Sequence, residues 1–391
     1  MTVSIPFNKP YLTGNELFYI EKAVGLGKIS GNGYFTKKCQ EFFEKKYGFR
    51  KCLLTSSCTD ALEMAAILLN IKPGDEVIVP SYTFVSSANA FVLRGAKIVF
   101  VDSRPEHPGM DEEMLESLVT PKTKAIVVVH YAGVPVEMSK VMELSDRYGI
   151  KVVEDAAQGI DISYLGKPIG GIGHLGTFSF HETKNLQCGE GGMLAINDPD
   201  LLKRAEIIWE KGTDRAAFFR GEVNKYGWVD VGSSFLPSEV TAAFLWAQLE
   251  NIQKIQNRRG EIWQDYADFF GFNGESFVPK VQYLPYLELI KAEVEKIQQD
   301  YSSVKFQKAT GNFHMFYLLF PCLESRTLFS NRLKDKRILS VFHYQALHLS
   351  GFIESYQGID ERPLPNALRF ADTLLRLPLF YELPEVARAG L

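Results

Sequence analysis

The chain is organised around the stretch Phe178-Ser179-Phe180-His181-Glu182-Thr183-Lys184-Asn185, which leads into Gly189-Glu190-Gly191-Gly192. Its first residues are apolar and predict a buried strand, and the polar residues after them predict a turn. Lys184 therefore lies at the end of an element, where a rigid scaffold can hold a reactive amine. The glycines that follow allow the backbone to approach a bound group closely. We predict that Lys184 is a nucleophile that forms a Schiff base, which requires burial or a nearby cation to lower its pKa.

A second stretch, Lys151-Val152-Val153-Glu154-Asp155-Ala156-Ala157-Gln158, is an apolar strand that ends in a carboxylate. Ligands of open α/β sheets bind at the carboxyl ends of strands, so Asp155 is expected beside a ligand. A carboxylate there can keep a pyridinium nitrogen protonated, and the protonated ring can then accept electrons from a carbanion. The alternative is that Asp155 caps the following helix.

A third stretch, Thr55-Ser56-Ser57-Cys58-Thr59-Asp60-Ala61-Leu62, opens a helical pattern with hydroxyls and small residues. The free N–H groups of a helix N-terminus, together with the Ser57 and Thr59 hydroxyls, can bind a phosphate. Asp60, three residues after Ser57, also fits an ordinary N-cap. The two interpretations are compatible.

Four segments, in chain order, resemble the DegT family of PLP-dependent sugar-nucleotide aminotransferases: Ser57-Cys58-Thr59-Asp60-Ala61-Leu62, Pro80-Ser81-Tyr82-Thr83-Phe84, Glu154-Asp155-Ala156-Ala157-Gln158 and Ser179-Phe180-His181-Glu182-Thr183-Lys184-Asn185. The resemblance extends over residues 5–381 and is greatest to the branch that makes dTDP-4-amino-4,6-dideoxygalactose. It implies an α/β fold, the fold type I of PLP-dependent transferases. That fold has a mostly parallel central sheet with helices on both faces and a smaller C-terminal α+β domain.

The resemblance also assigns roles. It implies that pyridoxal 5′-phosphate (PLP) is the cofactor, that Lys184 binds it covalently and that Asp155 pairs with its pyridinium nitrogen. The other expected cofactor contacts are Gln158 near the ring oxygen, Phe84 stacked on the ring, and Cys58, Thr59 and Ser179 at the phosphate. Taken alone, Phe84 would more often be a core residue. Many family members have a Gly-x-Asn-x-Arg segment that reaches the phosphate of the neighbouring subunit. This chain has Gly232-Ser233-Ser234 instead, and Ser234 is expected to supply a hydroxyl there.

Five residues are candidate substrate contacts: His181, Arg220, His314, His343 and Tyr344. His181 lies three residues before Lys184. Arg220 belongs to a charged stretch that could face a diphosphate, although such stretches are usually solvated. The remaining three lie in segments that resemble substrate-facing parts of the family, and isolated histidines are commonly structural.

The composition describes an ordinary globular protein. At 391 residues the chain suggests two domains, and we place them at residues 1–249 (PLP-binding) and 250–391 (small). A net charge of −4 gives no general attraction to nucleic acid or to anionic membranes. The five cysteines contain no CxxC pair, so we expect neither disulfides nor a metal. No apolar run is long enough for a membrane helix, and we expect a cytoplasmic protein.

The apolar runs at residues 76–79, 97–101, 125–129, 151–153, 178–180 and 193–196 predict buried strands of a mainly parallel sheet. Helical spacing over residues 238–270 predicts one long helix that joins the two domains. Residues 271–285 are loop-like, and the residues after Phe380 leave room for a turn or two of helix.

The function expected from the resemblance is transfer of an amino group from L-glutamate to C4 of dTDP-4-keto-6-deoxy-D-glucose. The product would be dTDP-4-amino-4,6-dideoxy-D-galactose, for lipopolysaccharide or another surface polysaccharide. We expect a homodimer with shared active sites. Other readings remain open: the gluco product, amination at C3, a PLP-dependent sugar dehydratase, or a cofactor-binding protein without activity.

Overall fold

The computed structural model describes residues 5–270, 287, 290, 292–293, 295–296, 305–306 and 311–389. The loop predicted at residues 271–285 lies outside these ranges. The strands are β1 Lys51–Thr55, β2 Glu76–Pro80, β3 Lys97–Val101, β4 Thr123–Val129, β5 Lys151–Asp155, β6 Ser163–Tyr164, β7 Lys167–Pro168, β8 Leu175–Ser179, β9 Gly192–Ile196, β10 Lys305–Phe306, β11 Phe316–Leu319 and β12 Leu374–Leu377.

The helices are α1 Glu16–Gly25, α2 Tyr34–Tyr47, α3 Cys58–Leu68, α4 Ser86–Val92, α5 Leu115–Leu118, α6 Met138–Tyr148, α7 Leu202–Trp209, α8 Arg215–Phe219, α9 Glu239–Glu250, α10 Ile252–Phe269, α11 Leu323–Asp335, α12 Gly351–Gln357, α13 Pro365–Thr373 and α14 Leu383–Ala389. The last of these is the short C-terminal helix for which the sequence leaves room. Within the described ranges, no helix is both long enough and apolar enough to cross a lipid bilayer.

The central sheet has seven strands in the order β1-β9-β8-β5-β4-β2-β3. Strands β3, β2, β4, β5 and β8 are parallel, and β9 runs antiparallel to both β8 and β1. Consecutive residues of β4 pack into different cores, since Val127 belongs to one cluster whereas Ile126 and Val128 belong to another. Both faces are therefore covered by helices, which explains the continuous apolar runs. The predicted α/β fold with a mostly parallel sheet is confirmed.

The predicted helix over residues 238–270 is two helices, because the chain turns at Asn251 between α9 and α10. Helix α9 packs against α1 and α2, whereas α10 contributes Ile262, Trp263 and Tyr266 to a separate core around β11 and β12. Ile5 pairs with Ile338 and packs in that same core. We retain the division near residue 249 as a proposal, with the N-terminal residues packed on the small domain.

Two adjacent carboxylates end β5 and point to opposite sides of the sheet. Glu154 accepts hydrogen bonds from the backbone N–H groups of Gly170 (2.7 Å), Ile172 (2.7 Å) and Gly173 (2.5 Å). It also contacts His130 Nε2 at 3.0 Å, and both side chains are completely buried. These contacts hold residues 170–173 against the end of β5 and fix Glu154 on one side of the sheet. Asp155, the next residue, therefore points to the other side.

Glu239 links α9 to the start of α2. Its carboxylate accepts hydrogen bonds from the backbone N–H groups of Gly33 (2.9 Å), Phe35 (2.7 Å) and Thr36 (3.0 Å). These N–H groups have no intrahelical partner, and a negative charge at a helix N-terminus is favourable. Because Glu239 is only 1% exposed, water cannot replace it.

We expect Glu239→Ala to lower the free energy of unfolding by about 3 kcal/mol, because it leaves buried donors without an acceptor. Urea unfolding followed by circular dichroism measures this. The control Glu261→Ala removes an exposed carboxylate of α10 and should change stability by less than about 0.5 kcal/mol. An equally small loss for Glu239→Ala would contradict the capping role.

Candidate active site

A cavity of about 790 Å³ lies at the carboxyl ends of the parallel strands, where they face residues from the C-terminal part of the chain such as His314, Tyr344 and Arg376. It brings together most of the residues selected from the sequence: Cys58, Thr59, Phe84, Asp155, Gln158, Ser179, His181, Lys184, His314, His343 and Tyr344. These residues span 287 positions of the chain, from 58 to 344. The cavity is within the size range of sites that enclose a small-molecule ligand.

Lys184 lies in the turn after β8, where its backbone N–H donates to His181 O at 2.9 Å. Burial in the cavity wall lowers the pKa of the amine, and the positive charge of Arg376 acts in the same direction. The amine of Lys184 therefore becomes neutral, and nucleophilic, at a lower pH than a solvated lysine.

Asp155 is 5% exposed and is held from both sides. The Ser87 hydroxyl donates to its Oδ2 at 2.7 Å, and the backbone N–H of Ala157 donates to its Oδ1 at 3.1 Å. Thr83 Oγ1 lies 2.9 Å from the Ser87 hydroxyl and extends this network. The contact with Ala157 is the local capping bond that the alternative reading described, yet the carboxylate also lines the cavity. It is oriented to receive a positively charged donor.

The N-terminus of α3 also opens on the cavity. The Ser57 hydroxyl accepts from Asp60 N at 3.0 Å, as in the predicted N-cap. Burial raises the pKa of the Cys58 thiol, so this residue brings no negative charge to the helix end. A Cβ on Gly192 would lie 2.3 Å from the Ser57 carbonyl and 2.4 Å from Cys58 N. Glycine is therefore required for β9 to pass this turn.

Gln158 and Tyr344, 186 positions apart, are linked by a hydrogen bond beside the cavity. Gln158 Oε1 accepts from Ala132 N at 2.6 Å, and its Nε2 donates to the Tyr344 hydroxyl at 3.0 Å. The Tyr344 ring stacks on His343 with centroids 3.6 Å apart. Phe84 lies 6.1 Å from Tyr344 and is 55% exposed. Phe84 is thus not a core residue, and its ring is available to a flat ligand.

His314 is held in a defined tautomer by Asn185. The Asn185 Nδ2 group donates to Asn312 O at 2.6 Å, which fixes the orientation of the amide because a carbonyl oxygen can only accept. Asn185 Oδ1 then faces His314 Nδ1 at 2.8 Å, so Nδ1 carries the proton and Nε2 has a free lone pair. Burial lowers the pKa of His314 well below 6.5, and the charge of Lys184 adds to this.

Three selected residues are placed differently. The His181 ring lines the outer cavity but contacts Thr183 Oγ1 at 2.9 Å and Glu190 at 3.6 Å. Ser234 and Arg220 do not line the Lys184 cavity, and instead contribute to a second cavity of about 720 Å³. Arg220 forms ion pairs there with Glu206 and Glu222, the nearer contacts being 2.8 and 2.7 Å.

Sequence patterns alone missed several residues of the site, among them Ser87, Tyr131, Arg259 and Arg376. Tyr131 places its hydroxyl 2.6 Å from His343 Nδ1. Arg259 and Arg376 both line the cavity. One signal was present for Arg376, a single cation inside the apolar run Leu374-Leu375-Arg376-Leu377, for which a buried position requires a polar partner.

The sequence matches one protein family over almost its whole length. Residues 10–387 match the model of the DegT/DnrJ/EryC1/StrS aminotransferase family. The chain belongs to this family of sugar aminotransferases, which are PLP-dependent.

Individual relatives can be compared in sequence and in structure. GDP-perosamine synthase of Caulobacter vibrioides is 36% identical over 245 residues, which is 63% of this chain and 64% of that protein. The aminotransferase TlmJ of Streptoalloteichus hindustanus superposes with a TM-score of 0.80 at 27% identity, covering 99% of this chain and 98% of that one. The protein Spr1654 of Streptococcus pneumoniae, in its PLP form, shares the fold with a TM-score of 0.80 at 24% identity, covering 99% of both chains.

The residues present fit PLP. The buried carboxylate of Asp155 suits the ring nitrogen, and the Lys184 amine, with its lowered pKa, suits the aldehyde. The exposed face of Phe84 can cover the ring, and the N-terminus of α3, where the Cys58 thiol carries no charge, suits the phosphate. Among the described residues, no group of three or more His, Cys, Asp or Glu side chains could hold a metal ion.

We expect the His314 ring to stay neutral, with its proton on Nδ1, at pH values at which an ordinary histidine is already protonated, because burial lowers its pKa. An unfolded histidine takes up a proton near pH 6.5 whereas this ring does not. The unfolded state therefore binds more protons, and His314 weakens folding as the pH falls below about 6.5. Nitrogen-15 NMR measures the protonation state and the tautomer of the ring, and His314→Gln assigns the signal. Protonation of the folded ring at about pH 6 would contradict the assignment, and Asn185→Ala should alter the tautomer.

Proposed function

We propose that this protein transfers an amino group from L-glutamate to C4 of dTDP-4-keto-6-deoxy-D-glucose. The product would be dTDP-4-amino-4,6-dideoxy-D-galactose, for a surface polysaccharide. The observation that carries the proposal is the placement of Lys184 and Asp155 in one cavity, with the N-terminus of α3 beside them. A transaminase needs these three features at a single ligand.

The residues of the cavity would hold PLP at its ring nitrogen, its ring face and its phosphate. When bound, PLP carries the amino group between donor and acceptor and accepts the electrons released at the reacting carbon. Asp155, fixed by Ser87 and Ala157, would hold the ring nitrogen in its protonated form. Thr59 and the N-terminus of α3 would bind the phosphate, and Phe84 would cover the ring.

Lys184 would be the attachment point and the base. Its lowered pKa allows Nζ to take a proton from the α-carbon of the donor amino acid. The resulting ammonium can return that proton to the carbon on the other side of the transferred nitrogen, which is general acid–base catalysis by one group. Retention of a lysine at this position argues against the dehydratase alternative, in which histidine replaces it.

The sugar and the nucleotide are the less constrained parts of the proposal. The name of the Caulobacter relative makes a GDP-linked sugar the second candidate. The gluco product and amination at C3 depend on which face of the sugar the pocket presents. Both are resolved by identifying the product, as described below.

We further propose a homodimer with shared active sites. Ser234 and Arg220 lie away from the Lys184 cavity of their own chain, as expected if they serve the site of a neighbour. Phe219 lines this second cavity and is 70% exposed, and Ile29 (56%) lies between two of its lining residues; Trp228 (85%) is exposed beside Lys211, which also lines it. Apolar side chains with this much exposure are candidates for an interface.

The test of function is the visible spectrum of the protein with bound PLP. Glutamate should bleach the absorption, and dTDP-4-keto-6-deoxyglucose should restore it, after which NMR of the amino sugar identifies carbon and stereochemistry. Lys184→Ala should reduce steady-state turnover by at least about 10³-fold with an unchanged circular dichroism spectrum.

Normal transamination by Lys184→Ala would remove the proposed role of the lysine. A wild-type spectrum that glutamate leaves unchanged would reject glutamate as the donor. Restoration by the GDP-linked but not by the dTDP-linked sugar would reject the nucleotide assignment.

We expect sedimentation velocity to give about twice the chain mass of 44.1 kDa. Trp228→Asp should shift the protein toward the monomer, because a charge would have to be buried in the interface. Leu165→Asp is a matched control, since Leu165 is 81% exposed and aspartate tolerates its positive φ of 48°. A wild-type monomer, or a dimer unaffected by Trp228→Asp, would argue against this surface.

A further inference from the structure

Arg376 occupies a fixed position at the boundary of the two domains. Its backbone pairs with Tyr317 on one side and exchanges hydrogen bonds with Val341 on the other, at 2.8 and 3.1 Å. Its neighbours Leu375 and Leu377 point into the small-domain core, whereas Leu374 packs in a core of the central sheet. The Arg376 side chain leaves the strand on the side of Leu374, and it lines the Lys184 cavity.

The Arg376 guanidinium is held in place but incompletely bonded. It lies over the Phe7 ring, 4.7 Å from the centroid. One terminal nitrogen, Nη2, donates to Phe342 O at 3.2 Å. Its Nε is buried and has no hydrogen-bond partner within the described part of the chain. The aromatic face and the carbonyl orient the group while leaving donors available.

The neighbours of Arg376 do not neutralise it. Burial lowers its pKa, and the groups that act against this are the hydroxyls of Tyr131, Tyr344 and Tyr82. Asp155 lines the same cavity but is already bonded to Ser87 and Ala157. A planar cation with free donors in a partly dry cavity is suited to a carboxylate, which an arginine binds through two parallel hydrogen bonds.

Arg259 provides an internal comparison, because it is the second arginine that lines this cavity. Its Nε, Nη1 and Nη2 donate to the backbone carbonyls of Phe313 (3.2 Å), Leu379 (3.3 Å) and His314 (2.6 Å). Burial lowers the pKa of Arg259 to about 9. The guanidinium of Arg259 ties α10 to the segments around residues 313 and 379, whereas that of Arg376 retains donors for a ligand.

We propose that Arg376 binds the α-carboxylate of the amino donor and selects α-amino acids for the first half of the reaction. This rests on the proposed transaminase function and adds the residue that recognises its donor. The α-carboxylate is attached to the very carbon that carries the transferred amine, so its cation must lie close to Lys184. The diphosphate of a nucleotide sugar is separated from C4 by the hexose ring, and its cations must lie farther away.

The experiment compares glutamate with its α-amide, isoglutamine, which keeps the amine and the γ-carboxylate but lacks the α-carboxylate. In the wild type, half-saturation of the spectral change should need roughly 100-fold more isoglutamine than glutamate. In Arg376→Gln, the glutamate concentration needed for half-saturation should rise by a similar factor, so that the two donors become nearly equal. Arg376→Lys keeps the charge but not the fork, so it should fall between them.

The second half-reaction distinguishes donor binding from a structural role, because a substitution that merely disturbed the structure would slow both half-reactions. Conversion of the PLP form by the amino-sugar product should change by less than about 3-fold in Arg376→Gln, because that substrate has no carboxylate. The control Arg369→Gln removes an exposed arginine of α13 and should leave both half-reactions unchanged. Equal losses in both half-reactions, or donor discrimination that survives in Arg376→Gln and in Arg376→Lys, would overturn the proposal.

Calorimetry with glutarate separates this proposal from the proposed function. Glutarate carries carboxylates but no amine, so its binding needs no turnover. Binding that Arg376→Gln abolishes in a protein that does not respond to glutamate would support the carboxylate site and reject the donor. Full turnover with glutamate, together with glutarate binding that is unchanged in Arg376→Gln, would reject the role of Arg376 alone.

Discussion

The site depends on two neighbouring carboxylates at the end of β5 that have opposite surroundings. Glu154 turns away from the cavity and is neutralised by backbone N–H groups and by His130. Asp155 turns into the cavity and is oriented by Ser87 and Ala157. A buried charge without such partners would be expelled or protonated. Each of the two adjacent charges therefore has its own set of donors, and only that of Asp155 lines the cavity.

The central sheet and much of the site were predictable because they follow from local patterns. Apolar runs located the strands, and the rule that strands of a parallel sheet end at the same edge brought Asp155 together with Lys184. Cys58 and Thr59 were recognisable because a helix N-terminus has a local signature. The family resemblance supplied His314, His343 and Tyr344, whose positions in the cavity no local pattern indicates.

Other features could not be predicted because they depend on contacts between distant segments. The break at Asn251 lies within a continuous helical pattern, and Leu249 before it and Ile252 after it pack in the same core, so no change in the apolar pattern marks it. Arg376 joins the cavity through the pairing of its strand with residues 317 and 341. A charged stretch suggested Arg220 and the family resemblance suggested Ser234, and the folded chain places both at another cavity.

Asn312 belongs to the amide network around His314 and reaches across to the large domain, where its Nδ2 donates to Gln158 O at 2.6 Å. Gly133 makes room for it, because a Cβ there would lie 2.2 Å from Asn312 Oδ1. A contact between residues 154 positions apart closes a long loop, so we expect it to form late in folding. The turn that carries Lys184 would then also reach its final geometry late, because the neighbouring Asn185 donates to Asn312 O. Under mild denaturation this boundary should open before the sheet unfolds, so that catalytic competence is lost while most secondary structure persists.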